Sequence, residues 1–513
     1  MNNGKRLYWH SVFLSLFAAL AIAMPASSAS ASGSVSFEGS TFVNQGLVGV
    51  ARVPSDARDA YGETLGGFGS AMAFVPGTWK PRKDGKYPAS KYTGELVMVP
   101  DRGWNTSGTI DFRGRTEHFK ILFTPFYGAS TTSQNQLELN YTKLTPLHFE
   151  GKPSTGLDAV GVRKAAGGFP DLPIGEDGHV SLDNEGIVFP GDGTFWIGDE
   201  YGPYVYHYSG SGKVLNVIRP PEAFIPRRVI NGVTVESFSA NSPPIGENYN
   251  LGNPVSGRQN NQGFEGLAIS PDHKTLFVLL QSALIQDLNP ADTKHTRRNT
   301  RLLAYDISRP SAPHLIHEYV VQLPNYSGTL VAAQSEMFAL NDHQFLVLAR
   351  DSSVGETFPA TPGSVYRSID LIDTADPTKP ATDIAGSAYD SPAGSVAPLG
   401  VLNPSIRPVA YQKFLDINDN TELNRFGLHN GAPANSNDLY EKWESIALEP
   451  VGDPRAPSDY FLFVGSDNDF ITQNGFMAGM SYADASGFNA DTLVLVFRVT
   501  LPTYVPPRPR NLK

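Results

Sequence analysis

Cysteine is missing from all 513 residues of the chain. That excludes disulfides, thiolate metal sites and cysteine nucleophiles. Several mechanistic signatures are missing too. There is no G-x-S-x-G nucleophile elbow, no H-E-x-x-H helix, no Walker A loop and no G-x-G-x-x-G after a strand. The 11 histidines are scattered, which argues against a zinc site built from several of them. A basic excess is also lacking. The formal net charge is -11, which speaks against a nucleic-acid partner. Long apolar runs are confined to the start of the chain. Lys5 and Arg6 precede the stretch Val12 to Met24, and Ala29-Ser30-Ala31 fits the small-residue cleavage rule. Residues 1–31 therefore read as a signal peptide cleaved near Ala31, and the mature chain is expected to be secreted or periplasmic, with no membrane association.

What is abundant is turn residues and aromatics. Gly (49), Pro (40) and 11% aromatics suit an all-β protein of many short strands. A motif recurs among these strands. An acidic residue opens a short apolar strand, as in Glu185-Gly-Ile-Val-Phe, Glu265-Gly-Leu-Ala-Ile, Glu336-Met-Phe-Ala-Leu and Glu444-Ser-Ile-Ala-Leu. A weaker copy, Ser70-Ala-Met-Ala-Phe, carries Ser in the acidic place. A second strand follows and ends in polar residues, as in Phe195-Trp-Ile-Gly-Asp199-Glu200 and Phe461-Leu-Phe-Val-Gly-Ser-Asp467. Third and fourth strands follow several of these pairs. Such repetition predicts a β-propeller, here of six or seven blades with long loop insertions at 230–262 and 373–440. The domain plan is an N-terminal extension over 32–59, the propeller over 60–503 and a tail over 504–513.

In a propeller the inner strands start at one mouth of the channel, and the second strands end there. The repeat therefore crowds carboxylates at that mouth: Glu185, Asp199, Glu200, Glu265, Glu336, Asp351, Glu444, Asp467 and Asp469. Crowded carboxylates are costly unless a cation neutralises them, and calcium takes six to eight oxygen ligands. The competing reading is that each Glu pins the neighbouring blade by accepting backbone N–H bonds. Cations share the same stretches: Arg102, Arg301, Arg350 and Lys442. Beside a bound metal they suit a small anionic substrate, phosphate above all. Their alternative role is to pair with acids that hold strands together. Asp416-Ile-Asn418-Asp-Asn420-Thr-Glu422 has the alternation of a calcium loop but lacks its Gly and its closing Glu, so an Asx-rich turn competes with a metal loop.

The segments Asp183-Asn-Glu-Gly-Ile, Gly193-Thr-Phe-Trp-Ile-Gly-Asp-Glu-Tyr-Gly-Pro, Gln262-Gly-Phe-Glu-Gly-Leu-Ala, Thr300-Arg-Leu-Leu-Ala-Tyr-Asp and Ser466-Asp-Asn-Asp-Phe resemble the "esterase-like activity of phytase" family. The resemblance spans roughly residues 60 to 500. It implies a propeller-like fold and a loose relation to calcium-dependent phytases. Two places depart from the family pattern. Ala349-Arg350-Asp351 carries Ala where Glu is expected, which removes one possible carboxylate. Gly67-Phe-Gly-Ser70 is looser than the usual Gly-Gly-Leu-Ser-Gly. The resulting expectation is a monomeric, calcium-dependent hydrolase of phosphoric esters. Glu185, Glu265, Glu444 and Arg301 would carry catalysis, and Arg102, Arg301, Arg350 and Lys442 would bind phosphate. A carboxylic ester or lactone hydrolase, and a non-catalytic propeller stabilised by calcium, remain the alternatives.

Overall fold

A computed structural model describes Met1 and residues 33–351, 363–440 and 442–508. The signal-segment reading falls outside the described residues. The chain forms five blades, each an antiparallel sheet. Blade I contains Ala71–Phe74, Tyr92–Val99, Arg115–Phe123 and Leu137–Pro146. Blade II contains Asn184–Val188, Thr194–Asp199, Val205–Ser209 and Val214–Ile218. Blade III contains Phe264–Ile269, Thr275–Leu280, Asn299–Asp306 and His314–Gln322. Blade IV contains Ala333–Ala339, Gln344–Arg350, Arg367–Asp373 and Ala410–Asp416. Blade V takes Trp443–Pro450, Asp459–Ser466 and Thr492–Thr500 from late in the chain, and Ser40–Val53 and Ser34–Phe37 from its beginning.

Three expectations change here. The blade number is five, not six or seven. The weak Ser70 copy and the four Glu-headed copies head all five inner strands, and the long spacings between them are connections, not further blades. The segment read as an N-terminal extension supplies the two outer strands of blade V. Ser40–Val53 pairs antiparallel with Thr492–Thr500, so the two ends of the domain are stitched into one sheet. The supposed insertion at 373–440 is also partly blade, because Ala410–Asp416 is the outer strand of blade IV. Tyr411 turned toward the neighbouring blade, and the polar residues between, hide its period.

Each pair of neighbouring blades packs face to face through buried apolar residues. Val99, Ile197 and Tyr206 fill the gap between blades I and II, and Trp196, Phe264 and Leu276 that between II and III. Phe277, Phe345 and Val347 lie between III and IV, Leu348, Trp443 and Leu462 between IV and V. Met98, Phe119, Phe461 and Phe463 close the ring between V and I. The inner strands surround a central cavity of about 890 Å³, lined by apolar residues such as Met72, Ile187, Leu267, Met337 and Ile446. The C-terminal segment Tyr504 to Arg508 crosses the far end, where Val505 donates to the Leu340 carbonyl at 2.8 Å and Arg508 to that of Pro271 at 2.9 Å.

The blades approach closely at their inner edges. A Cβ on Gly186 would lie 2.6 Å from the carbonyl oxygen of Glu265 and 2.8 Å from the backbone nitrogen of Leu267. Backbone at that distance cannot yield without moving a whole strand. Gly186→Ala is expected to cost about 1–3 kcal/mol, read as a lowered urea midpoint. A midpoint equal to that of the unaltered protein contradicts the close approach of blades II and III.

Candidate metal and anion site

In four of the five blades the inner strand enters with a register shift; that of blade I, Ala71–Phe74, pairs in unbroken register. In blade III, Phe264 faces Leu280 and Gly266 faces Leu279, which leaves Glu265 as the extra residue. In blade V, Trp443 faces Ser466 and Ser445 faces Gly465, leaving Glu444 extra. In blade II the shift falls between Asn184 and Ile187 and takes in Glu185. In blade IV, Gln334 faces Ala349 and Glu336 faces Leu348, so Ser335 is the extra residue, not Glu336. A bulged residue is re-aimed away from the ladder. The bulges bring Glu185, Glu265, Ser335 and Glu444 to one mouth, with Ser70 in the matching place of blade I.

A second set of side chains comes from the residues just beyond the second strands. Equivalent backbone bonds fix them: Glu200 N–H donates to Asp183, Gln281 N–H to Gly263, and Asp467 N–H to Lys442, at 3.0, 2.9 and 2.8 Å. Asp101 and Arg350 hold the corresponding places in blades I and IV. The same bonds make Asp183, Gly263 and Lys442 equivalent positions in three blades. Asp183, Asn184 and Asp101 were not in the expected site. The repeat of backbone bonds is what marks them, and it has no counterpart in a one-dimensional motif.

Two groups of acids result. In the first, ligand oxygens of Asp183, Glu185 and Glu200 lie within 4.8 Å of one another, and all three residues are buried. Glu185 is 5% exposed, Glu200 2% and Glu265 3%. Glu185 Oε2, Glu200 Oε1 and Glu265 Oε2 have no hydrogen-bond partner, and neither has the Asn184 side chain. Burial, then the neighbouring carboxylates, raises Glu185 and Glu265 well above the usual range, and burial followed by Asp183 pushes Glu200 up to about 8. Buried oxygens without donors, crowded by like charge, are what a hard cation would relieve. Arg102 borders this group. Its guanidinium pairs with Asp183 at 3.2 Å and donates to Asn261 of the 230–262 loop, while its Nε has no partner.

The second group is Asp101, Asp467 and Asp469, again within 4.8 Å and buried. Here a cation is already present. The Lys442 ammonium lies 2.7 Å from Asp467, 2.8 Å from Asp469 and 3.3 Å from Glu444. Arg350 completes the cluster, 2.6 Å from Glu444, with its Nε donating to Ser335 Oγ at 3.1 Å. Burial pushes Glu444 up, but the charges of Lys442 and Arg350 outweigh it and hold the carboxyl below its usual range.

Other expected site residues lie elsewhere or do other work. Asp199 accepts backbone N–H bonds from Asp183, Tyr201 and Gly202 at 3.0, 3.1 and 2.7 Å, and so shapes the turn that carries Glu200. Asp351 accepts from Ser364 Oγ at 2.5 Å and from Val365 N–H at 2.8 Å. Glu336 Oε1 accepts from the N–H groups of Leu267 and Met337 at 3.0 and 2.8 Å, pinning blade IV to blade III. Arg301 is fully buried in the third strand of blade III. It is held by Asp287 at 3.2 Å and Glu318 at 3.1 Å, and by the carbonyls of Tyr389 and Gly394. Those contacts tie the 374–409 connection to the blade and leave Arg301 away from the acid mouth. The Asp416–Glu422 stretch is an Asx turn and a cap. Asp419 accepts from Thr421 N–H, and Glu422 accepts from Leu47 N–H and pairs with Arg425 at 2.6 Å.

The class this geometry defines is a five-bladed propeller with an acidic mouth and arginines at its rim. The chain belongs to the phytase-like family described as "esterase-like activity of phytase", whose model matches residues 87–470. A relative from Arthroderma benhamiae, described as an uncharacterized secreted protein, is 43% identical over 470 residues, covering 85% of this chain and 88% of its own. Among the described residues no helix is long and apolar enough to cross a membrane. Solved structures with a similar course include hydrazine synthase of Kuenenia stuttgartiensis (9% identity, 79% and 78% coverage of the two chains, TM-score 0.27) and the WD40 domain of Toxoplasma gondii coronin (7%, 90% and 88%, 0.24).

Two outcomes follow from the placements of Arg301 and Glu336. Arg301→Met leaves two buried carboxyls without their cation and is expected to cost about 3–5 kcal/mol of stability, measured by urea unfolding. A cost within error of zero contradicts the buried triad. Burial holds Glu336 protonated well above its ordinary value of 4.5. The unfolded chain releases that proton near 4.5, so this group's contribution to stability falls as pH rises above that value. In Glu336→Gln the decline in urea midpoint between pH 5 and pH 8 is expected to shrink. An undiminished decline rules out Glu336 as a source.

Proposed function

We propose that this protein is an exported, calcium-dependent hydrolase of phosphoric esters, acting as a monomer on a small anionic substrate at the Glu-lined mouth. The observation that carries the reading is the set of partnerless buried oxygens on Glu185, Glu200 and Glu265 next to Arg102, whose Nε also lacks a partner. Asp183, Glu185 and Glu200 are the residues that would hold the cation, with Glu265 beside them. Held by those carboxyls, a calcium ion would supply Lewis-acid chemistry toward a phosphoryl oxygen. Arg102 orients the anion through its free donor edge, and Asn261 fixes the guanidinium from the opposite side. Lys442 and Arg350, expected as phosphate ligands, are committed to Asp467, Asp469 and Glu444, and act by setting the charge of the mouth. A carboxylic ester or lactone would use the same polarising cation.

The test is a panel of phosphomonoester, phosphodiester, phytate, aryl acetate and lactone substrates, assayed with calcium and then with chelator. The expected result is phosphate-ester turnover that chelation abolishes, and a loss of roughly 10²-fold in kcat/KM for Arg102→Met. Turnover of acetates or lactones alone selects the carboxyl chemistry. Activity indifferent to chelation sinks both. One observation favours a second reading, a cation with a structural role only: the first acid group is 95% or more buried. In that case chelation lowers the melting temperature and every substrate stays inert.

A further inference from the structure

We infer that the mouth takes one divalent cation and not two, because Lys442 is the built-in cation of the second acid group. The inference rests on the cation reading of the Asp183 group and adds what happens at its counterpart. Register makes the two groups counterparts. Asp183 and Lys442 occupy the same place in blades II and V, each accepting through its carbonyl from the residue after the second strand. Where blade II places a carboxylate, blade V places an ammonium.

The hydrogen bonding of the two groups differs accordingly. Every carboxylate oxygen of the second group has a donor. Asp101 accepts from Gly103 N–H at 3.0 Å and Asn105 Nδ2 at 3.4 Å. Asp467 accepts from Asp469 N–H at 2.8 Å and from Lys442. Asp469 accepts from Tyr440 Oη at 3.1 Å and from Lys442. In the first group, Glu185 and Glu200 each keep a buried oxygen without any donor. An ammonium has three N–H donors; Lys442 gives hydrogen bonds to Asp467 and Asp469 and stands as an ion pair 3.3 Å from Glu444 Oε2, an oxygen that has no hydrogen-bond donor of its own. A divalent ion entering the second group would have to displace that ammonium from buried partners, whereas an ion entering the first group meets open oxygens.

Calcium stoichiometry tests this. Chelator-stripped protein is titrated with calcium by calorimetry, and bound ions are counted by elemental analysis after gel filtration. Lys442→Met is expected to bind one more calcium per chain than the unaltered protein. Asp467→Asn and Asp469→Asn, made with Lys442 in place, are expected to leave the count unchanged. A folded Lys442→Met protein with an unchanged count overturns the inference, as does loss of an ion in either Asn variant. If Lys442→Met does not fold, the Asn variants decide alone. Glu185→Gln is expected to lose one ion. A count unaffected by that change removes the cation from the first group and defeats the functional reading, while the Lys442 comparison still stands or falls on its own.

Discussion

One extra residue at the head of four of the five inner strands governs the mouth. In a regular ladder, consecutive side chains alternate between the two faces of the blade, and a Glu at the strand start would point into the packing between blades. The register shifts at Glu185, Glu265, Ser335 and Glu444 free one residue in each of blades II to V from that alternation. The consequence is electrostatic. Carboxylates from different blades meet at distances where both cannot ionise without help. The surrounding chemistry follows from that conflict: Lys442 and Arg350 set among the acids of blade V, Arg102 paired with Asp183, and donorless oxygens left on Glu185, Glu200, Glu265 and Glu444.

The asymmetry between the two sides is a matter of which blades supply what. Blades II and III contribute Asp183, Glu185, Glu200 and Glu265, with Arg102 reaching in from blade I. Blade V contributes Lys442, Glu444, Asp467 and Asp469, and blade IV adds Arg350 where blade II has Glu200. The ring is therefore uneven across the channel: Lys442 and Arg350 stand among Asp101, Glu444, Asp467 and Asp469, while Arg102 is the one cation paired within the group of Asp183, Glu185, Glu200 and Glu265 among the described residues. An anionic group approaching the Asp183 side needs a cation between itself and the carboxyls. Arg102 alone, already shared with Asp183, offers little surplus charge.

Much of this was readable in the chain. The strands and hairpins follow from apolar runs between turn residues, and the Glu-headed repeat located three of the mouth residues directly. Glu336 is the exception, although its segment has the same acidic head and apolar run as the others. The register sets Ser335 in the shared place, and a shift of one residue is invisible to a pattern that scores apolar positions in a strand buried on both faces. Arg301, Arg350 and Lys442 were legible as cations among acids. Pairing distances alone distinguish an arginine locked by Asp287 and Glu318 from one with a spare donor edge. Asp183 precedes its strand, and its place at the mouth depends on a backbone bond from Glu200 that no strand pattern displays. The blade count failed for a topological reason: blade V is assembled from segments more than 380 residues apart in sequence, and no local repeat signals it.

That stitched blade has a temporal meaning. Ser40–Val53 is among the first parts of the domain to be synthesised, and its partner Thr492–Thr500 is among the last. Until the partner arrives, the early strand has an exposed edge and the ring is an open arc. The half-mouth built by blades II and III can assemble earlier, but Lys442, Glu444 and Asp467 come late. The charge balance of the mouth is thus completed by the last part of the domain to emerge, and a chain truncated before blade V would present an acidic, unclosed surface in place of the closed ring.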